Sequence, residues 1–146
     1  MSYLLDTNVL SEVRRPVPDP QVLGWLDEVD EDRVYLSVIS IAEIARGVAL
    51  LDAGRRRDAL AAWLEHELPM RFESRLLQID ERIALTWGRL MGEAKKAGRG
   101  LSVMDGWIAA VALVHDLVLV TRNIRDFEGL GVALLDPWAG ESSGRA

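Results

Sequence analysis

The sequence predicts an α/β fold in which a parallel β-sheet carries helices on both faces. Short apolar runs alternate along the chain with longer stretches whose apolar residues recur at helical spacing. The short runs, Leu117 to Thr121 above all, are apolar almost throughout, as strands buried on both faces are. A chain of 146 residues can also bury a core of useful size without covalent staples.

Taken in order, Tyr3-Leu4-Leu5 reads as a buried strand ending at Asp6, and a short helix follows through Val9, Leu10 and Val13, stopped before Pro16. Pro18 and Pro20 bound a turn before a helix marked by Val22, Leu23, Trp25 and Leu26. Val34 to Val38 is the second strand, and Ser40 opens a helix through Ile41, Ile44, Ala45, Val48 and Leu51 that Gly54 ends. Arg55 to Glu67 forms another helix, closed by Pro69. Leu76 to Ile79 is the third strand, and Asp80 caps a long helix through Ile83, Ala84, Trp87, Leu90 and Met91 that stops at Gly98 and Gly100. Ser102 opens a helix running to His115, Leu117 to Thr121 is a strand, and Val132 to Leu135 is the last strand. One domain is expected over residues 1–139, with residues 140–146, small and polar, as a flexible tail.

Composition excludes several classes. Cysteine is absent, which removes disulfides, thiolate nucleophiles, Cys–zinc sites and iron–sulfur clusters. No apolar run is long enough to span a membrane, and the N-terminus meets Asp6 too early for a signal peptide, so a cytoplasmic location is expected. Asp and Glu number 23 against 17 Lys and Arg, a net charge of −6. The resulting pI of about 4.9 does not suit a protein that holds nucleic acid by bulk charge. A polyanionic substrate would need local neutralisation, which a bound divalent cation supplies. All basic residues but Lys95 and Lys96 are arginine, suited to forked contacts with phosphate or carboxylate.

In open parallel sheets, ligands bind beyond the carboxyl ends of the strands. That rule selects Asp6, Ser40 to Glu43, and Arg122 to Asp126. Each has a purely structural explanation as well. Asp6 can cap the following helix, as can Thr7 or Asn8. Ser40-x-x-Glu43 and Ser102-x-x-Asp105 both read as capping boxes, and Asp126 can cap a turn. Together, however, two helices each place a carboxylate near the strand-end Asp6, and converging anions repel unless a cation holds them. Oxygen donors without His or Cys select Mg²⁺ or Mn²⁺. His66 and His115 lie inside helical segments, away from the strand ends, so no Ser-His-Asp system is available. The first strand is followed by no glycine-rich loop, which removes dinucleotide and P-loop readings.

Four blocks then stand out: YLLDTNVLSE at 3–12, SVISIAEIARGV at 37–48, GLSVMDGWIAAVAL at 100–113 and LVTRNIRDFEGLGV at 119–132. With these blocks in this order, the chain resembles PIN-domain ribonucleases, specifically the VapC toxins of bacterial toxin–antitoxin pairs, with the FitB-like branch nearest. The resemblance implies a three-layer α/β/α fold with a central parallel sheet of about four to five strands. It implies that Asp6, Glu43 and Asp105 are catalytic, metal-binding acids. It places the fourth acid at Asp126, with Asn123 as a neighbour where many relatives carry Asp, and makes Thr7, Asn8, Ser40 and Thr121 pocket-shaping residues. The implied activity is Mg²⁺-dependent RNA hydrolysis, with Mn²⁺ able to substitute. The implied partners are a cognate antitoxin protein, the RNA substrate and a second copy of the chain. Arg14, Arg15, Arg46, Arg122 and Arg125 adjoin the strand ends, where RNA phosphates or an antitoxin would dock. Two other readings remain open at this point. One is a PIN-like binding module without activity. The other is an Asp-nucleophile phosphatase, against which Asn8 stands where a second acid is wanted and the two lysines lie together at 95–96.

Overall fold

The computed structural model describes residues 1–139 and the backbone of 141–145. Its strands are β1 (Tyr3–Leu5), β2 (Val34–Ser37), β3 (Leu76–Leu77), β4 (Val118–Val120), β5 (Ala133–Asp136) and β6 (Glu141–Arg145). They form one sheet in the order β3-β2-β1-β4-β5-β6. The first five are parallel, and β6 pairs antiparallel with β5. The tail expected over 140–146 falls partly on Gly140 and Ala146, which lie outside the described residues, and partly on β6.

The strands feed two cores because successive side chains point to opposite faces. Leu4, Leu119 and Leu134 pack on one face with Ile83, Leu90, Ile108 and Phe127. Leu5, Val118, Val120 and Leu135 pack on the other with Val9, Leu10, Val22, Leu64 and Phe72. This double burial is why the strands read as unbroken apolar runs. It makes three layers, as expected.

The helices are α1 (Thr7–Val13), α2 (Pro20–Glu28), α3 (Val38–Leu50), α4 (Arg55–Ala62), α5 (Leu68–Arg71), α6 (Glu81–Lys96), α7 (Val103–Val114) and α8 (Ile124–Phe127). Caps fix several starts: Asp19, Asp80 and Ser102 accept from the backbone N–H of Gln21, Ile83 and Asp105 at 2.8, 2.9 and 3.2 Å. Three expectations need correction. Pro20 is the first residue of α2 rather than part of the preceding turn, because its missing N–H has no intrahelical partner there anyway. Pro69 does not close the fourth helix. Trp63–Glu67 winds as a π-turn in which Leu68 N–H reaches Trp63 O, and Pro69 then sits in the first turn of α5. Finally, α3 begins at Val38, not at Ser40. Strand β2 passes directly into the helix with Ser37 as N-cap, so Ser40 lies inside α3.

Strand order places a topological switch at β1. The chain leaving β1 enters α1, whose Val9 and Leu10 belong to one core, while the chain leaving β4 enters α8, whose Phe127 belongs to the other. The two connections diverge and leave a crevice between the carboxyl ends of β1 and β4.

Candidate active site

Asp6 closes β1 at the mouth of that crevice and is only 6% exposed. Its backbone N–H continues the ladder to Val120 O at 2.9 Å. Its Oδ1 accepts from Thr7 N–H at 2.8 Å, which caps α1, and its Oδ2 accepts from the Thr121 hydroxyl at 2.8 Å and from Asn8 Nδ2 at 3.4 Å. Asn8 Nδ2 also donates to Thr121 Oγ1 at 3.2 Å, while its Oδ1 accepts from Arg122 N–H at 3.4 Å. Asn8 and Thr121 thus clamp the ends of β1 and β4 together, and Asn123 N–H adds a bond to Thr121 Oγ1 at 3.0 Å.

Glu43 is the sixth residue of α3. The expected Ser40-x-x-Glu43 capping box does not form, because Ser40 is not at the helix start. Instead Thr7 Oγ1 lies 2.6 Å from Glu43 Oε1 and 2.9 Å from Ser40 Oγ. Thr7 has one hydroxyl proton, and the shorter contact with a carboxylate takes it, leaving the buried Ser40 hydroxyl to donate to Thr7. Ser40 and Thr7 therefore orient Glu43 toward the crevice from two different elements.

Asp105 occupies the first turn of α7 and is half-buried. Gly106 beside it permits the close packing of α6 on α7. A Cβ there would fall 2.5 Å from Met91 Sδ and 3.1 Å from Trp87 Nε1. Asp126 is exposed in α8 and does not cap it. Asn123 is the N-cap residue, without a side-chain cap bond, so the capping explanation of Asp126 is gone.

Electrostatics link these acids. Burial, reinforced by the charges of Asp105 and Glu43, pushes the Asp6 carboxyl up to about 6, against the opposing bonds from Thr121 and Thr7. Burial also raises Asp105, with added repulsion from Asp126 and Glu43 and an opposing bond from Ser102. Each of the four acids thus feels at least one other. Among the described residues none of the four forms an ion pair with Arg, Lys or His. A donor set of carboxylates, with no counter-charge from the chain, suits a hard divalent cation. Among the described residues no three acids stand close enough to chelate one bare ion. Any divalent cation bound here would have to keep several of its waters.

The expected arginines scatter around the crevice. Arg14 and Arg15 line a groove of about 710 Å³ that also includes Thr7, Glu43 and Arg56. Arg14 lies over the Trp63 ring at 5.2 Å, and Arg122 lies over Trp138 at 5.2 Å. Arg46 and Arg125 are exposed. Sequence reasoning missed Glu12, which is 4% exposed. It accepts from Asp19 N–H at 2.9 Å and pairs with Arg15 at 3.2 Å, and these bonds hold its carboxyl below the usual range. An acid on the apolar side of α1, three residues before an arginine, was the available signal.

Residues 3–131 match the PIN domain family. The chain belongs to it. It is 41% identical over 135 residues to the Toxin FitB of Neisseria gonorrhoeae, covering 92% of this chain and 97% of that one. It is 37% identical over 135 residues to the VapC ribonuclease Y4jK of Sinorhizobium fredii, with 92% and 96% coverage. Among solved structures, FitAcB from Neisseria gonorrhoeae superposes with a TM-score of 0.86 at 40% identity, covering 93% of this chain and 98% of that one. VapBC-5 from Mycobacterium tuberculosis, of the VapBC family of toxin-antitoxin systems, superposes with a TM-score of 0.62 at 28% identity, with 88% and 91% coverage. No helix among the described residues is long and apolar enough to cross a membrane.

Proposed function

We propose that this protein is a divalent-metal-dependent endoribonuclease, the toxin of a toxin–antitoxin pair, acting in the cytoplasm. The observation that carries the reading is the set of four carboxylates at the β1/β4 switch point, in which Asp6 is repelled by Asp105 and Glu43 and Asp105 by Asp126 and Glu43, with no basic side chain paired to them. Asp6, Glu43, Asp105 and Asp126 hold Mg²⁺, for which Mn²⁺ substitutes. A bound ion there supplies Lewis-acid charge to the phosphodiester and lowers the pKa of water. The carboxylates take up the proton of the attacking water. Thr7, Asn8, Ser40, Thr121 and Asn123 set the shape of the pocket through the bonds described above. RNA as substrate rests on the relatives named ribonucleases.

The partners are an antitoxin, supported by the toxin–antitoxin structures the chain resembles, and a second copy of the chain. The second copy is supported by large apolar side chains left at the surface, including Leu50 at 69%, Leu85 at 70% and Val103 at 54% exposure. Light scattering of the toxin alone is expected to give twice 16.2 kDa. The catalytic reading is tested by incubating purified protein with cellular RNA in Mg²⁺, in Mn²⁺ and in excess EDTA. Cleavage only with the ions, lost in Asp6→Asn and Asp105→Asn, supports it. Full cleavage in EDTA overturns the metal requirement. Binding of RNA or antitoxin without cleavage under any condition identifies an inactive binding module instead.

A further inference from the structure

Arg99 lies in the turn between α6 and α7, far in sequence from any strand end. Its backbone is fixed by the end of α6: Gly98 takes φ +70, and Arg99 N–H donates to Ala94 O at 2.8 Å, the long bond of a left-handed helix cap. From that anchored position the side chain crosses to α8. Nη2 donates to the backbone carbonyl of Asp126 at 2.7 Å, and Nη1 donates to the carbonyl of Glu128. Gly129 leaves the space for this. It adopts φ +83, and a Cβ at that position would lie 3.2 Å from Arg99 Nη1.

A helix of four residues cannot hold itself in place, since one turn does not repay its own nucleation. The carbonyls at its C-terminal end carry the negative pole of the turn, and a guanidinium fork is the natural counterpart. Phe127 seats the helix in the core, but it fixes position better than rotation about the side chain. Two bonds from a planar fork, to carbonyls on either side of Phe127, fix rotation as well. Rotation of α8 sets the direction in which the Asp126 carboxylate projects, and the metal-site reading needs it to project toward Asp105.

We propose that Arg99 is a positioning residue for the fourth acid. It acts from the α6–α7 turn through the backbone of α8, holding the Asp126 carboxylate toward the shared cation. The inference rests on the metal-site reading above. It assigns Arg99 no contact with metal or RNA.

The test uses Mn²⁺ alone, with free ion read by electron paramagnetic resonance and folding followed by circular dichroism, in Arg99→Gln, Arg99→Lys, Asp126→Asn and the double variants. Arg99→Gln is expected to weaken Mn²⁺ binding roughly tenfold, the lower end of the range for residues that orient metal ligands. Arg99→Lys, which keeps charge and reach but not the fork, is expected to recover part of the loss. In the Asp126→Asn background neither change should weaken binding further, because the residue through which Arg99 acts is already disabled. Unaltered binding in Arg99→Gln, or a full additional loss on top of Asp126→Asn, overturns the proposal. If Arg99→Gln does not fold, Arg99→Lys alone and in the Asp126→Asn background decides by the same criteria. Wild-type protein that takes up no Mn²⁺ overturns the metal-site reading and this inference with it, whereas unchanged uptake in Arg99→Gln overturns this inference only.

Discussion

The Thr121 hydroxyl donates to Asp6 Oδ2 at 2.8 Å, joining two residues 115 positions apart. The same oxygen of Thr121 accepts from Asn8 and from the Asn123 backbone, so it has no freedom to turn away. The bond favours the ionised form of Asp6 and opposes the rise in pKa that burial produces. Thr121→Val nearly keeps the shape and removes the donor to Asp6 together with the acceptor used by Asn8 and Asn123. Hydrogen bonds to charged groups contribute about 1.5–3 kcal/mol, and one pKa unit is about 1.4 kcal/mol. The Asp6 carboxyl should therefore climb by about one further unit. Metal uptake requires the carboxylate, so the midpoint of Mn²⁺ binding against pH should move upward by a similar amount. An unmoved midpoint would show that Asp6 does not limit uptake.

Asp6 also sets a pH dependence of stability in the metal-free protein. Its folded-state pKa of about 6 lies above the unfolded value, so its contribution is fully present below about pH 4 and is lost as pH rises through 6. At pH 7.5 the buried charge costs roughly 2–3 kcal/mol, an order-of-magnitude figure from the size of the shift. Asp6→Asn removes the charge and keeps the shape. In EDTA its melting temperature should exceed that of the wild type at pH 7.5, with the difference shrinking toward pH 4. Equal melting temperatures at both pH values would contradict the raised pKa.

Thr7 connects Glu43 to Ser40 and to the start of α1. Thr7→Val keeps the volume and removes the hydroxyl, leaving Glu43 free to swing. Cleavage should fall by about 10–100-fold, the range for partners that orient metal ligands. Stability in EDTA should fall by about 1–3 kcal/mol, because the buried Ser40 hydroxyl loses its partner. A cleavage rate equal to wild type would assign Thr7 to helix packing alone.

The positions of Asp6 and Asp105 were legible in the sequence because short-range signals mark them, one at the end of an apolar run and the other in the first turn of a helix that Ser102 opens. Glu43 was expected in the first turn of a helix opened by Ser40, and that placement failed. The pattern Ser40-x-x-Glu43 matches a capping box, but Ser37 ends β2 three residues earlier and starts α3 itself. A strand that turns into a helix without a loop offers two serines as caps, and only the packing of Ser40 against Thr7 separates them. Glu12 and Arg99 stayed hidden for another reason. Their partners, the Asp19 amide and the carbonyls of Asp126 and Glu128, are backbone groups, and backbone leaves no mark in composition. Strand β6 was missed because Glu141 to Arg145 lacks apolar alternation, and its evidence is backbone pairing with β5.

Asn123 and Asp126 are the two candidates for a fourth position. Asn123 starts α8 without a side-chain cap bond, and the charge of Asp126 is the one that Asp105 feels. Asp126→Ala is expected to weaken Mn²⁺ binding several-fold more than Asn123→Ala. Equal titrations of Asp126→Ala and wild type would remove Asp126 from the site.

Ser37 Oγ is the one buried side-chain oxygen among the described residues without a hydrogen-bond partner. An unpaired buried hydroxyl costs about 1–3 kcal/mol, and Ser37 gains nothing back as a cap because its side chain does not bond the α3 backbone. Ser37→Ala should therefore leave the melting temperature unchanged or raise it. A loss of more than about 1 kcal/mol would mean that the hydroxyl has a partner in solution.

Strand β1 is central in space but first in the chain, and its β4 neighbour is made more than a hundred residues later. During synthesis, a chain that stops short of Val118 carries β2 along one edge of β1 and nothing along the other. Asp6 then lacks Thr121, and neither α8 nor Asp126 exists. The four acids at the strand ends therefore come together only after residues 118–126 have been made.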